Sequence, residues 1–200
     1  MHTLINGSQK IKNNNSSYFL KYLSKYLDEY NLFDLKKEDY SKILQSINES
    51  ENVVLAFPLY VDSPTSITLK FLDYIYDNKI NLNNKKIYVI INCGFREGYQ
   101  NITGLQIVKN WCNKVNAMYS GSILIGAGEI VGNAKFRLIT KKAHKKLHEF
   151  SVDVSNNSLS KTFITSMDFL NNKGYIMLAN YSWTKQGKKN KLTKKDLNCT

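Results

Sequence analysis

Apolar positions along the chain alternate between continuous runs and helix-like spacing, and this alternation predicts the secondary structure. Continuous runs such as residues 53–57 and 87–91 are typical of parallel strands that are covered on both faces. Between the runs, apolar residues recur every three or four positions, as they do from residue 17 to residue 30. The predicted strands are 3–6, 32–35, 53–57, 87–91 and 122–125, and the predicted helices are 17–30, 37–48, one starting at Pro64, 101–115, 135–150 and 158–170. Pro58 is expected to end the third strand.

Five strands separated by helices predict an α/β fold with a doubly wound, five-stranded parallel sheet. Two hundred residues with 42% hydrophobic content suit a single core. We therefore expect one domain over residues 1–184, with a core at 1–132 and a helical extension at 133–184. Residues 185–200 are expected to form a basic, flexible tail.

The net charge of +12 is concentrated in two stretches, residues 135–149 and 185–200, each with six basic and one acidic side chains. Such runs are usually solvated, and no basic motif interleaved with aromatic residues accompanies them, so nucleic-acid binding is not predicted. A phosphorylated cosubstrate or an acidic protein is a more plausible partner. No apolar run approaches the length of a membrane span, and the start of the chain lacks signal-peptide features. Three unclustered cysteines favour the cytosol.

A candidate phosphate site follows the first predicted strand. Asn6-Gly7-Ser8 comes directly after the strand, and Asn14-Asn15-Ser16-Ser17 opens the next helix. A helix N-terminus presents unpaired N–H groups and the positive end of the helix dipole, so it binds anions. The hydroxyl and amide side chains of this stretch add further donors, which predicts a phosphorylated ligand.

Two further loops follow strands that should end at the same edge of the sheet. Residues 58–63 come after the third strand and residues 92–99 after the fourth. Both loops are rich in aromatic side chains and backbone donors. In an open α/β sheet, ligands bind at the carboxyl ends of the strands near the topological switch point. A phosphorylated planar heterocycle would fit a phosphate loop beside two such loops.

These three segments resemble the flavodoxin-like NAD(P)H-dependent FMN reductases, a family of NAD(P)H-dependent oxidoreductases. The resemblance runs from residue 2 to about residue 132, and it departs from the family at Gln9, where a proline is usual, and at Asn14, where a glycine is usual. Pro64 also comes one residue early. By this resemblance the FMN phosphate would be held by Ser8, Lys10, Asn15, Ser16 and Ser17, and the isoalloxazine ring would be lined by Pro58, Leu59, Tyr60, Ser63, Asn92, Gly94 and Phe95.

The resemblance also implies NADH or NADPH as cosubstrate, a small acceptor such as a quinone or a flavin, and a homodimer with flavin near the interface. No catalytic side chain is implied, because the cofactor carries the chemistry. Arg96 and Tyr99 are candidates to touch the nicotinamide or the acceptor, although Arg96 is as consistent with a surface charge. Two other functions stay open: a flavodoxin-type electron carrier without NAD(P)H activity, and a non-enzymatic interaction protein.

Other patterns do not assemble a site. Residues 126–132 have G-x-G-x-x-x-G spacing, which is one residue too long for a dinucleotide fingerprint and follows the fifth strand. We interpret this segment as a loop that could border the site. His144 and His148 have metal-compatible spacing, but the surrounding cations favour a solvated helix face, and no metal is predicted. No G-x-S-x-G elbow and no receiver-type acidic residues at the strand ends are present.

Overall fold

A parallel sheet organises the residues from Met1 to Ser166, the larger of two units into which the chain divides. The structure is a computed structural model that describes residues 1–10, 14–167, 172–193 and 196. The strands are β1 His2–Asn6, β2 Tyr30–Asp34, β3 Asn52–Tyr60, β4 Ser63–Pro64, β5 Lys86–Asn92, β6 Met118–Ile125 and β7 Thr162–Thr165. Their order in the sheet is β2-β1-β3-β5-β6-β7, with the short β4 paired antiparallel to β3.

Helices cover both faces of this sheet. The helices are α1 Asn15–Leu23, α2 Tyr40–Glu49, α3 Ser66–Asp77, α4 Ile102–Lys114, α5 Gly128–Val131, α6 Lys141–Ser155 and, in the second unit, α7 Asn172–Lys189. Side chains of α1 and α6 form one core with one face of the sheet, while α2, α3 and α4 form a second core with the other face. Because the connections change face after β1, the switch point lies between β1 and β3.

The alternation along β3 shows how one strand supplies both cores. Val54 and Ala56 pack on the side of α1 and α6, whereas Val53, Leu55 and Phe57 pack on the side of α2 to α4. Successive side chains of a strand point to opposite faces, so a strand buried on both faces must be apolar throughout. This is why the run at residues 53–57 identified a central strand from sequence.

The doubly wound parallel sheet is confirmed, but the strand number is wrong. Among the described residues the sheet has seven strands, of which β7 pairs parallel with β6 and β4 forms a hairpin with β3. Strand β3 also continues through Pro58 to Tyr60, although Pro58 was expected to end it. Because β1 ends opposite Ala56, β3 has a neighbour on one side only beyond that point, and a proline without an N–H is tolerated there.

The residues after position 132 differ most from expectation. The predicted helix 158–170 is wrong where the structure describes it, because residues 162–165 form β7 at the open edge of β6; residues 168–170 lie outside the described residues. Pairing with β6 gives the β-branched residues of this stretch a hydrogen-bonded partner, which propensity alone does not reveal. The predicted helix 135–150 begins instead at Lys141, and therefore Phe136 and Ile139 are exposed rather than in the core.

The described part of the second unit consists mainly of α7. Several of its large apolar side chains are exposed. None of the helices in the described residues is both long enough and apolar enough to cross a membrane. The predicted tail, residues 185–200, is helical as far as Lys189, and residues 194, 195 and 197–200 lie outside the described part.

Candidate functional site

The loop after β1 is anchored through its glycine. The Gly7 N–H donates to the Ala56 carbonyl at 2.8 Å, and the Gly7 carbonyl accepts from Thr65 Oγ1 at 2.6 Å and from Thr68 Oγ1 at 3.2 Å. A Cβ atom at Gly7 would lie 2.1 Å from Thr68 Oγ1, so a larger residue does not fit. The start of α3 therefore fixes where the chain leaves β1.

Polar contacts shape the rest of this loop. The Ser8 N–H donates to Asn6 Oδ1 at 3.1 Å, and the buried Ser8 hydroxyl accepts from the Lys10 N–H at 3.3 Å. Lys10 itself is exposed, and Lys36 brings a second cation by donating from Nζ to the Gln9 carbonyl at 2.8 Å. Residues 11–13 of the predicted phosphate loop lie outside the described residues.

The N-terminus of α1 is the anion-binding feature of this loop. Asn14 caps the helix, since its Oδ1 accepts from the Ser17 N–H at 2.8 Å. Among the described residues, the N–H groups of Asn15 and Ser16 have no hydrogen-bond acceptor. Two unpaired donors and the positive end of the helix dipole together favour a phosphate. Lys10 is near in the backbone, because its carbonyl accepts from Asn14 Nδ2 at 3.1 Å.

Asn92, at the end of β5, joins this helix to the sheet. Its Nδ2 donates to Ser16 Oγ at 3.1 Å and to the Phe57 carbonyl at 3.2 Å. A Cβ atom at Gly128 would lie 2.9 Å from Asn92 Oδ1, so α5 packs directly on this side chain. By the family resemblance, Asn92 is expected to line the ring. The structure places it as a buried amide that connects three loops.

The hairpin between β3 and β4 presents an aromatic side chain at the rim. Tyr60 pairs with Ser63, and the two residues between them, Val61 and Asp62, have positive φ angles of 49° and 58°. Positive φ at both central residues is the signature of a type I′ turn. Tyr60 is half exposed and Ser63 is partly buried, whereas Leu59 is buried in the core formed with α2 to α4. Pro58 is buried as well.

The loop after β5 presents a second aromatic side chain. Phe95 is half exposed, and a Cβ atom added at the neighbouring Gly94 would meet no atom within 4 Å. Cys93 is buried beneath this loop, and burial raises the pKa of its thiol. Arg96 forms an ion pair with Glu97. Pro58 is the register partner of Asn92. Tyr60, the last residue of β3, and Phe95, just after the end of β5, therefore lie at one edge of the sheet.

The segment 126–132 lies beside the loop after β5 and the start of α1. The sequence predicts only that this segment could border the site. The Gly128 N–H donates to the Cys93 carbonyl at 2.9 Å, and Ala127 takes a left-handed conformation with φ 50°. A Cβ atom at Gly132 would lie 2.8 Å from Asn15 Oδ1. The glycine spacing that resembled a dinucleotide fingerprint therefore permits close approach to Asn92 and to the start of α1.

His144 is buried, contrary to the predicted solvated face. Its Nδ1 lies 3.0 Å from the Thr140 carbonyl, which can only accept, so Nδ1 carries the proton and Nε2 accepts from the Tyr18 hydroxyl at 3.0 Å. Burial lowers the pKa of His144. This bond ties α1 to α6. The described residues contain no group of three His, Cys, Asp or Glu side chains that could hold a metal ion.

Comparisons with known proteins identify the architecture. No protein-family model matches the chain, and no curated protein matches it either. Solved structures do match. A protein from P. pentosaceus described as an NADPH-quinone reductase superposes with a TM-score of 0.59 at 14% identity, over 78% of this chain and 98% of that one. The fold is flavodoxin-like.

Two other solved structures agree. The Trp repressor binding protein from Bacillus subtilis superposes with a TM-score of 0.58 at 17% identity, over 76% of this chain and 97% of that one. A Fusobacterium nucleatum flavodoxin bound to flavin mononucleotide gives a TM-score of 0.56 at 12% identity, over 78% of this chain and 98% of that one. At these identities the likeness establishes the flavodoxin-like fold and leaves the chemistry to be argued from the site.

Proposed function

We propose that this protein binds FMN and acts as an NAD(P)H-dependent oxidoreductase on a small acceptor such as a quinone or a free flavin. The observation that carries the proposal is the pair of N–H groups of Asn15 and Ser16, which lack an acceptor in the described residues at the positive end of α1. The flavodoxin-like fold supports it, because in this fold the switch point beside β1 is where ligands bind.

The donor set fits a phosphate ester. The Asn15 and Ser16 N–H groups would donate to two of its oxygens, with hydroxyl donors from Ser8 and Ser17 and positive charge from Lys10. Ser8 and Ser16 are already held in place, Ser8 by its contact to the Lys10 N–H and Ser16 by Asn92. A site whose donors are oriented before binding loses less entropy when the ligand arrives.

The remaining predicted residues divide into two groups. Tyr60, Gly94 and Phe95 are exposed at the rim, and Ser63, the register partner of Tyr60, is partly buried there; these four residues would contact the ring. Leu59 and Asn92 are buried, so they would act by holding the loops in position, as would Pro58. The chemistry that FMN supplies is hydride and electron transfer between a nicotinamide and an acceptor. A homodimer and a cytosolic location stay predictions.

Titration of the purified protein with FMN and with riboflavin tests the phosphate site. We expect FMN to bind at least roughly a hundredfold more tightly, because charge-assisted hydrogen bonds contribute about 1.5–3 kcal/mol each. Lys10→Gln should weaken FMN binding and leave riboflavin binding unchanged. Lys21→Gln is the matched control, since it removes the same charge from an exposed position farther along α1.

Visible spectra of the FMN-loaded protein, recorded before and after anaerobic addition of NADPH and then NADH, test the activity. Prompt bleaching by either nicotinamide supports a reductase and identifies the preferred donor. Bound flavin that stays oxidised with both would support the electron carrier instead. A protein that binds neither FMN nor riboflavin would overturn the proposal.

A further inference from the structure

An exposed segment between α5 and α6 combines basic and apolar side chains. Residues 135–139, Lys-Phe-Arg-Leu-Ile, are all exposed, and Leu138 has 77% of its surface in contact with solvent. We call residues 135–142 the basic–apolar segment. Single exposed apolar residues are ordinary, but three large ones within four consecutive positions are typical of an interaction surface.

The charge around this segment has one sign only. No acidic residue lies between Glu129 and Glu149, while residues 135–146 contain six cations. Lys141 and Lys142 occupy the first turn of α6, where the positive end of the helix dipole disfavours cations. The Thr140 side chain does not cap this helix end. An anionic partner would relieve an arrangement that is electrostatically unfavourable in the isolated chain.

The basic–apolar segment adjoins the candidate site. Gly132, three residues before it, packs against the Asn15 side chain at the start of α1. Two residues after the segment, His144 accepts a hydrogen bond from Tyr18, which also belongs to α1. The segment therefore lies beside the helix end that carries the unpaired N–H groups.

We propose that the basic–apolar segment docks on an anionic phospholipid surface. Lysine side chains would contact lipid phosphates, while Phe136, Leu138 and Ile139 would enter the boundary between headgroups and acyl chains. At this segment a second copy of the chain would bring the same six cations of residues 135–146 against each other, so the segment itself does not favour self-association. Nucleic-acid phosphates would bind the lysines but leave the aliphatic side chains in water.

Helix α7, which belongs to the second unit, combines the same kinds of side chains. Ile176, Met177, Tyr181 and Trp183 are exposed large apolar residues, and residues 172–193 contain five lysines and no acidic residue. Aromatic and aliphatic side chains followed by a basic stretch are characteristic of interfacial segments. Docking would also bring the site to acceptors dissolved in lipid, a consequence that rests on the proposed function; the docking itself does not.

Co-sedimentation of the full chain with vesicles tests the proposal without flavin. Vesicles of phosphatidylcholine alone are compared with an equal mixture of phosphatidylcholine and phosphatidylglycerol, at about 0.1 M and about 1 M salt. We expect the protein to sediment with the anionic vesicles at low salt. It should sediment much less with these vesicles at high salt, and little with the neutral vesicles at either salt concentration.

Matched variants separate the lipid contact from simple charge attraction. Leu138→Ser should weaken binding roughly tenfold or more, because an exposed leucine gains that much on leaving water. Leu159→Ser is the control, since Leu159 is 72% exposed at the opposite end of the strands. Lys141→Gln with Lys142→Gln should weaken binding roughly fivefold per charge. Lys42→Gln with Lys70→Gln removes the same charge from α2 and α3 and should have little effect.

Failure to bind anionic vesicles at low salt would overturn the proposal. Equal binding of the Leu138 and Leu159 variants would also overturn it, since the apolar contact would then be absent. In that second case, displacement of the vesicles by a polynucleotide would indicate a nucleic-acid surface, and displacement by an acidic protein would indicate a protein partner. None of these outcomes depends on whether FMN binds.

Discussion

Replacing Asn92 should both destabilise the protein and uncouple α1 from the sheet. The side chain donates two buried hydrogen bonds, to Ser16 Oγ at 3.1 Å and to the Phe57 carbonyl at 3.2 Å. A buried hydrogen bond contributes about 1 kcal/mol net, so Asn92→Ala should lower the free energy of unfolding by about 2 kcal/mol. For a chain of this length that corresponds to a fall in Tm of about 4–8 °C.

A double-mutant cycle isolates the bond that matters for the site. Urea unfolding would be measured for the unmodified protein, for Asn92→Ala, for Ser16→Ala and for the double variant. We expect a coupling energy of about 1 kcal/mol between the two positions, because both single changes remove the same hydrogen bond. Coupling within about 0.3 kcal/mol of zero would refute the contact on which this view of the site depends.

Asn101 provides the matched control for this cycle. Its Nδ2 also donates two buried hydrogen bonds, to the Gly98 carbonyl at 3.0 Å and to the Ile125 carbonyl at 3.3 Å. Asn101→Ala should therefore cost a similar free energy of unfolding and show no coupling to Ser16→Ala. If FMN binds as proposed, Asn92→Ala should weaken its binding more than Asn101→Ala does, because Asn92 donates to Ser16 in the first turn of α1 and the bonds of Asn101 go to Gly98 and Ile125.

Three further results are expected. Changing Val61 and Asp62 to Asn-Gly should raise the free energy of unfolding by about 1 kcal/mol, since both residues have positive φ; an unchanged urea midpoint would contradict this. Burial raises the pKa of Cys112 to about 12 and also raises that of Cys93, so peptide mass mapping should find both thiols alkylated by iodoacetamide only after unfolding. Burial lowers the pKa of His144 in the folded state, so the unfolded chain binds more protons below about pH 6.5 and stability should fall as the pH decreases from there. His144→Gln should reduce that loss, measured from urea midpoints at about pH 7.5 and about pH 5.

Local pattern was sufficient to predict the central part of the fold. The apolar runs that form β3 and β5 are buried on both faces, so a continuous apolar sequence is enough to identify them as central strands. The start of α1 was also readable, because the Asn14 cap acts through a hydrogen bond to a residue three positions away. Features of this kind depend on near neighbours in the chain.

At the candidate site, local pattern does not predict which side chains are buried. The pattern of apolar runs predicts that Asn92 and Leu59 lie at strand ends, as they do, and the family resemblance implies that both line the ring; neither tells a ring-lining side chain from a buried one. Asn92 is buried because Ser16 and Gly128, distant in sequence, close over it. Leu59 is buried because α4 approaches it at Gly104. Burial is a property of what packs on a residue, and those partners are set by topology.

Pairing between distant segments also determined the secondary structure of residues beyond position 132. Thr162–Thr165 became a strand because β6 offered an open edge, a fact absent from the local sequence. Phe136 and Ile139 fitted a helical stripe by spacing, yet the helix begins at Lys141 and leaves them in solvent. The sequence by itself determined the central strands, the polar start of α1 and the sign of the charge. Only the tertiary structure decided which side chains meet at the site and which apolar residues stay exposed, because both depend on contacts between segments far apart in the chain.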